Sequence, residues 1–294
     1  MRNVIVSLVI LMLLFLALIV GIGIGFMVSG DADFGGGGEK VAVLRIEGII
    51  IDSQTYLESL SRIKKDDSVK ALVVRVNSPG GAVAPAQEIY ASIKELREKI
   101  PVVASIETVG ASGGYYIACA AQKIFANPGS ITGSIGVIMH FVNYKELLSW
   151  AKVDVETVKS GKFKDIGSPV RELDETERKY MQELIDNVHS QFKLVVSKGR
   201  GMALEKVNLI ADGRVFTGEQ AKELELVDEL GTLGDAIRLA GELGGIKGEP
   251  NVIYYPKERG GLLSLILSKL EIPSIADFPL KERFGLFYLT DIMQ

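Results

Sequence analysis

The sequence predicts an α/β domain built from parallel βαβ units, set behind one apolar N-terminal span and followed by a C-terminal extension. Three observations lead there. Short apolar runs alternate with segments of helical period over residues 40–126, the pattern of parallel strands joined by crossover helices. Two of those runs end in glycine-rich turns, Pro79-Gly80-Gly81 and Gly110-Ala111-Ser112-Gly113-Gly114. The apolar excess, finally, is concentrated at the front: no charge occurs between Asn3 and Asp31, and Val4 to Val28 is broken only by Ser7 and three glycines.

A helix of 25 residues reaches about 37 Å, enough to cross a hydrocarbon core of about 30 Å with some tilt. A cleaved secretory signal has a shorter apolar core of about 7–15 residues and a small-residue cleavage pattern, which does not follow here. Residues 1–29 are therefore expected to be an uncleaved transmembrane anchor. Arg2 precedes the span and Asp31 and Asp33 follow it, so the positive-inside rule places the N-terminus in the cytoplasm and the rest of the chain outside the membrane. Residues 30–38, with Gly35 to Gly38, form a flexible tether. Beyond it the chain is about 45% hydrophobic, ordinary for a soluble domain, although the whole chain has a mean hydropathy of +0.24.

The globular pattern begins at Glu39. Val41 to Ile51 is strand-like, Ser53 to Lys64 is an amphipathic helix, and Lys70 to Val76 is a short apolar strand ending at Asn77-Ser78-Pro79-Gly80-Gly81. Ala84 to Glu98 is helical, Val102 to Thr108 a strand, Ser112 to Ala121 a short apolar helix and Ile124 to Ala126 a further strand. Asp174 to Lys198 and Ala203 to Leu243 are mostly helical, and no second copy of the early pattern follows. One domain over residues 39–250 is expected, then an extension over 251–294. There, apolar clusters are broken by Pro273 and Pro279, too interrupted to span a membrane. A packed tail, a subunit contact or a groove-occupying segment would each suit that composition.

Composition excludes several chemistries. A net charge of −4 gives no footprint for nucleic acid. One cysteine, Cys119, can build neither an intrachain disulfide nor a cysteine zinc site, and within an apolar helix it reads as core.

Small residues on both sides of Ser112 leave its hydroxyl accessible at a strand-to-helix turn, where backbone N–H groups can face a developing oxyanion. The glycine turn at Gly80-Gly81, at the end of another strand, could supply a second donor. Two such turns at adjacent parallel strand ends face each other across a crevice, which could equally hold a thioester carbonyl or a phosphate. A Ser-His-Asp triad is disfavoured. Of the two histidines, His189 lies inside a long helical stretch and His140 comes early, after the run Ile135 to Met139. Lysine can be the base if it is neutral. From a reference pKa near 10.4, that requires a depression of about three units, or about 4 kcal/mol of differential solvation. Lys159, Lys162 and Lys164 lie in one glycine-flanked segment, and composition does not choose among them.

Five motifs occur in order: NSPGG at Asn77 to Gly81, TVGASGGYYIA at Thr108 to Ala118, NPGSITGSIGV at Asn127 to Val137, VKSGKFKDIGSP at Val158 to Pro169 and VFTGEQAKELELVDELG at Val215 to Gly231. Together they resemble the signal peptide peptidase A family, membrane-anchored Ser/Lys-dyad peptidases of the Clp protease/crotonase superfamily, over about residues 40–245. The single copy resembles the family's short form. That resemblance implies a spiral of ββα units with helical additions. It further implies Ser112 as nucleophile, Lys164 as general base, Gly81 and Gly113 as oxyanion-hole donors and Ser134 as the residue that orients the lysine. No metal or cofactor is implied. Cleaved signal peptides and similar apolar peptides are the implied substrates, and the implied assembly is a homo-oligomer whose dyad is completed between neighbouring subunits. Two rivals share parts of this pattern: a crotonase-like acyl-CoA enzyme, which would have the same fold and oxyanion hole but act on soluble thioesters, and a non-catalytic membrane scaffold with the same fold.

Overall fold

The structure is a computed structural model, and it describes residues 11–21, 38–256 and the backbone of 287–289. Residues 11–21 form a helix (α1) with exposed side chains. The rest of the expected anchor, residues 4–10 and 22–28, lies outside the described residues, as do most of the tether and of the C-terminal extension. Among the described residues no helix is long and apolar enough to cross a membrane.

From residue 39 the alternation read in the sequence becomes a parallel-rich sheet. Strand β1 (Lys40–Glu47) leads to helix α2 (Gln54–Lys65), then β2 (Val69–Ser78), a short β3 (Gly80–Ala82), α3 (Val83–Arg97), β4 (Val102–Ala111), α4 (Gly113–Ala118) and β5 (Lys123–Ala126). There follow β6 (Ile131–Gly133), α5 (Lys145–Trp150), the long α6 (Glu175–Arg200), α7 (Leu204–Ile210), β7 (Val215–Thr217), α8 (Gly218–Glu223), β8 (Glu229–Leu230), α9 (Leu233–Leu243) and β9 (Asn251–Tyr255). The strands run in the order β7-β6-β4-β2-β1-β9, with β5 branching from β4 and carrying β8. Every pairing in this sheet is parallel except β6 with β7. A separate antiparallel pair joins β10 (Phe287–Leu289) to β3.

Both faces of the central strands are buried, which is why they read as nearly continuous apolar runs rather than alternating ones. Leu44, Ile46, Leu72, Val74 and Ile106 point into the main core with Ile89 and Ile93 of α3 and Phe192 of α6. Val41, Val43, Val73 and Val103 point to the other face, which α9 covers through Ala236 and Ala240. The first strand stops at Glu47 because Gly48 takes a φ of 67°, so the apolar Ile49 to Ile51 belong to the connection rather than to the strand. The sheet also continues past residue 250, since β9 pairs with β1 from Lys40 to Leu44.

Helix α6 carries a complete capping box. The Asp174 side chain accepts from the Glu177 amide at 2.8 Å and the Glu177 carboxylate accepts from the Asp174 amide at 3.1 Å, while Gly201 closes the helix in the left-handed conformation.

Candidate active site

Parallel pairing places the glycine turns side by side. Ser78 of β2 is registered with Gly110 of β4, and Ala111 of β4 with Gly133 of β6. Each of these strands therefore ends at the same level. Ser112 follows Ala111, Ser134 follows Gly133, and the Gly80-Gly81 turn follows Ser78.

Ser112 caps α4 at φ 52°, ψ −117°. A non-glycine residue in that region costs about 1–3 kcal/mol and persists only where its surroundings fix it. Here its amide donates to the Gly133 carbonyl at 2.8 Å, and its carbonyl accepts from the Tyr116 amide at 2.8 Å. The small flanking residues do not leave the hydroxyl accessible as expected: the packing of α4 on the strand ends buries Ser112 fully, and its Oγ has no hydrogen-bond partner among the described residues. A buried hydroxyl without a partner loses about 1–3 kcal/mol. Strained backbone and orphaned hydroxyl thus coincide at one residue.

Ser134 shares this geometry at the next strand end, with φ 50°, 5% exposure and its amide donating to the Arg214 carbonyl at 2.8 Å. Half-buried His189 braces the same stretch, its Nε2 lying 3.1 Å from the Ile135 carbonyl. Burial, aided by Lys193, lowers the imidazole pKa. His140 is exposed.

Gly81 lies on β3, where a side chain cannot fit: an added Cβ would sit 2.0 Å from the Ile50 carbonyl oxygen. A Cβ on Gly114 would come within 2.8 Å of the Ser78 carbonyl, so the start of α4 packs directly on the β2–β3 turn. That contact sets the start of α4, where Gly113 lies, against the turn that leads into Gly81. Ser78 fixes the turn itself, its Oγ donating to the Gly48 carbonyl at 2.6 Å and accepting from the Gly80 amide at 3.1 Å. Thr132 ties β6 to β4 through a 2.7 Å hydrogen bond to the Gly110 carbonyl. Neither supporting hydroxyl could be singled out from sequence, because a serine in a turn and a threonine in a short strand are commonplace.

Strand β10 runs antiparallel to β3, with Tyr288 opposite Gly81. The edge of β3 therefore accepts an extended chain segment beside the serine. Cys119, at the end of α4, is buried, and desolvation pushes its thiol up to about 12, the value of an inert core residue.

Lys164 makes no hydrogen bond to the serine hydroxyl. It is exposed on a turn-rich segment between α5 and α6, with its amide donating to the Gly161 carbonyl at 3.1 Å. Since the Ser112 Oγ has no partner, the single chain does not join the two side chains. Several apolar side chains that precede the lysine in the chain are exposed: Val142, Leu147, Trp150 at 83% and Val158 at 94%.

Comparisons with known proteins agree with this architecture. The model of peptidase family S49 matches residues 94–247. A putative protease of Synechocystis is 46% identical over 224 residues, covering 74% of this chain and 80% of the relative. A putative signal peptide peptidase SppA of Enterococcus faecium is 37% identical over 217 residues, covering 69% of this chain and 63% of that protein. Protease 4 of Haemophilus influenzae is 34% identical over 221 residues, covering 69% of this chain and 35% of the relative. With this family match laid over the parallel-rich sheet and its serine-bearing strand end, the chain belongs to peptidase family S49 and is a serine peptidase of the SppA type.

Proposed function

We propose that this peptidase is a membrane-anchored endopeptidase with a Ser112/Lys164 dyad, acting on cleaved signal peptides and similar short apolar peptides. The observation that carries the reading is the Ser112 Oγ, buried, unpartnered and held at a strained strand end. Neutral Lys164 accepts the Ser112 proton as Oγ attacks the peptide carbonyl. The Gly81 and Gly113 amides stabilise the tetrahedral oxyanion, and protonated Lys164 delivers the proton to the leaving amine. Water then attacks the acyl-enzyme with Lys164 again as base, and collapse of the second tetrahedral intermediate returns the proton to Ser112. Ser134, leaving the neighbouring strand at the same level, orients the lysine amine.

Substrate binds as an extended strand on the edge of β3, the edge that β10 shows to be strand-accepting. The dyad is completed between neighbouring copies of the chain in a homo-oligomer. In support, Lys164 is exposed and follows an apolar surface that one chain leaves uncovered. Residues 4–28 anchor the chain, with the N-terminus cytoplasmic and the catalytic domain outside, near the bilayer where released signal peptides remain.

Mixed oligomers test the assignment. Ser112→Ala and Lys164→Ala chains, each expected to be inactive alone, should recover peptide hydrolysis when assembled together. No recovery in verified mixed oligomers would place the dyad within one chain. Unchanged hydrolysis in either single variant would remove that residue from the mechanism, and failure of a serine-directed phosphonate to label Ser112 would favour the crotonase-like alternative.

A further inference from the structure

The segment carrying Lys164 has few apolar contacts to hold it, yet one side chain fastens it at several points. Arg171 Nε donates to Asp165 Oδ2 at 2.8 Å, and its Nη2 donates to the Asp165 carbonyl at 3.1 Å. The same guanidinium grips Glu177 with both terminal nitrogens, Nη1 to Oε2 at 2.7 Å and Nη2 to Oε1 at 2.6 Å. Nη1 also donates to the Glu172 carbonyl at 3.0 Å. Asp165 is the residue directly after Lys164, and Glu177 is the buried carboxylate of the α6 capping box. Lys159 holds the other Asp165 oxygen at 2.5 Å, and Phe163 stacks on Tyr180 of α6 with ring centres 5.2 Å apart.

We propose that Arg171 is a positioning residue for Lys164, coupling the backbone beside the lysine to the rigid start of α6. The proposal rests on the dyad reading above. A planar fork with five donors can satisfy a side-chain carboxylate, a main-chain carbonyl and a second carboxylate at once, which an ammonium cannot do in the same geometry. Glu177 is held at its other end by the helix cap. The linkage therefore runs from a 26-residue helix to the side chain and carbonyl of Asp165, the residue after the base. The groups facing the guanidinium are Asp165 and Glu177, with Lys159 completing the charge set on Asp165. Arg171 itself touches no reacting atom in this arrangement. Its effect is on the time Lys164 spends aimed at the serine of the completed site rather than turned out to solvent.

The test is the pH profile of kcat/KM on a fluorogenic peptide, using the full-length oligomer in detergent, for wild type, Arg171→Lys, Arg171→Gln and Glu177→Gln. The expected result at pH 8 is a fall of about 10- to 100-fold in kcat with KM nearly unchanged, larger for Arg171→Gln than for Arg171→Lys. The rising limb should move to higher pH by about one unit, so that activity recovers in alkaline buffer. A fall that is uniform across pH, or a wild-type profile, overturns the assignment. If Arg171→Lys does not assemble, Glu177→Gln decides, since it keeps the side-chain shape and removes only the charge. Lys164→Ala is the reference: activity in that variant overturns the dyad reading itself, whereas an inactive Lys164→Ala beside an unshifted Arg171 profile overturns the role of Arg171 alone.

Discussion

Replacing Gly81 by alanine tests the oxyanion hole with a single added carbon. The new Cβ would lie 2.0 Å from the Ile50 carbonyl oxygen and 2.6 Å from both the carbonyl carbon and the amide nitrogen of Ile50. Carbon and oxygen ordinarily meet at about 3.3 Å or more, so β3 and the Ile50 segment must separate by about 1 Å. All of the obstructing atoms are backbone, and no rotamer change relieves the clash. Two backbone hydrogen bonds stand in the way of that separation, from the Ile50 amide to the Gly80 carbonyl at 2.9 Å and from the Ala82 amide to the Ile50 carbonyl at 2.7 Å. Overpacking of this kind costs about 1–3 kcal/mol of stability. The catalytic loss should be larger, because a donor moved by about 1 Å no longer meets the oxyanion. Removal of one such donor lowers kcat by about 100- to 1,000-fold. The assay is steady-state peptide hydrolysis beside the rate of Ser112 labelling by a phosphonate, with thermal unfolding to confirm a folded oligomer. Gly129→Ala is the control, since its added Cβ meets nothing within 4 Å and it is expected to behave as wild type. A folded Gly81→Ala protein that keeps kcat within about threefold of wild type would refute the placement of the Gly81 amide in the hole.

Ser112→Gly removes both the positive-φ strain and the unpartnered hydroxyl, and should give an inactive protein more stable by about 1 kcal/mol, or about 2–4 °C in Tm by calorimetry; an equal or lower Tm would count against stored strain. Arg171, with help from Lys159, holds the Asp165 carboxyl well below the usual range, and Arg171 holds Glu177 down to about 2. Both pKa values are depressed in the folded chain, so their contribution is present above the unfolded carboxylate values near 4 and is lost as pH falls through the folded ones. Tm measured from about pH 5 down to pH 2 should therefore fall less steeply in Glu177→Gln than in wild type, and parallel curves would show that the ion pairs carry no net stability. Deleting residues 284–294 takes β10 off the β3 edge and should lower KM for short extended peptides while leaving kcat unchanged; an unchanged KM would mean that β10 does not compete with substrate.

Much of the strand and helix pattern was legible in the sequence because parallel strands buried on both faces leave unbroken apolar runs. The short strands were not. β6, β7 and β8 have two or three residues each, too few to show a period, and they exist because β4, β6 and β5 respectively offer edges for them to pair with. β9 was read as part of the extension for a related reason: Asn251–Tyr255 is strand only because β1 has a free edge beside it.

The sequence by itself determined the setting of Ser112, since a serine among glycines after an apolar strand admits few conformations, and it pointed to Lys164 only through the resemblance carried by the motif around it. Tertiary structure decided what spacing along the chain cannot express. Strand register sets Ser112 beside Ser134, although 22 positions separate them in the chain, and Gly114 packs on the Ser78 carbonyl, so that the start of α4 meets the β2–β3 turn. It also leaves the Ser112 Oγ without a hydrogen-bond partner, Lys164 included, among the described residues, and it reveals Arg171, which in the sequence is one charge among 33 basic residues. A guanidinium acquires a specific role only when folding converges two carboxylates and two carbonyls upon it, and that convergence is a property of the folded chain alone.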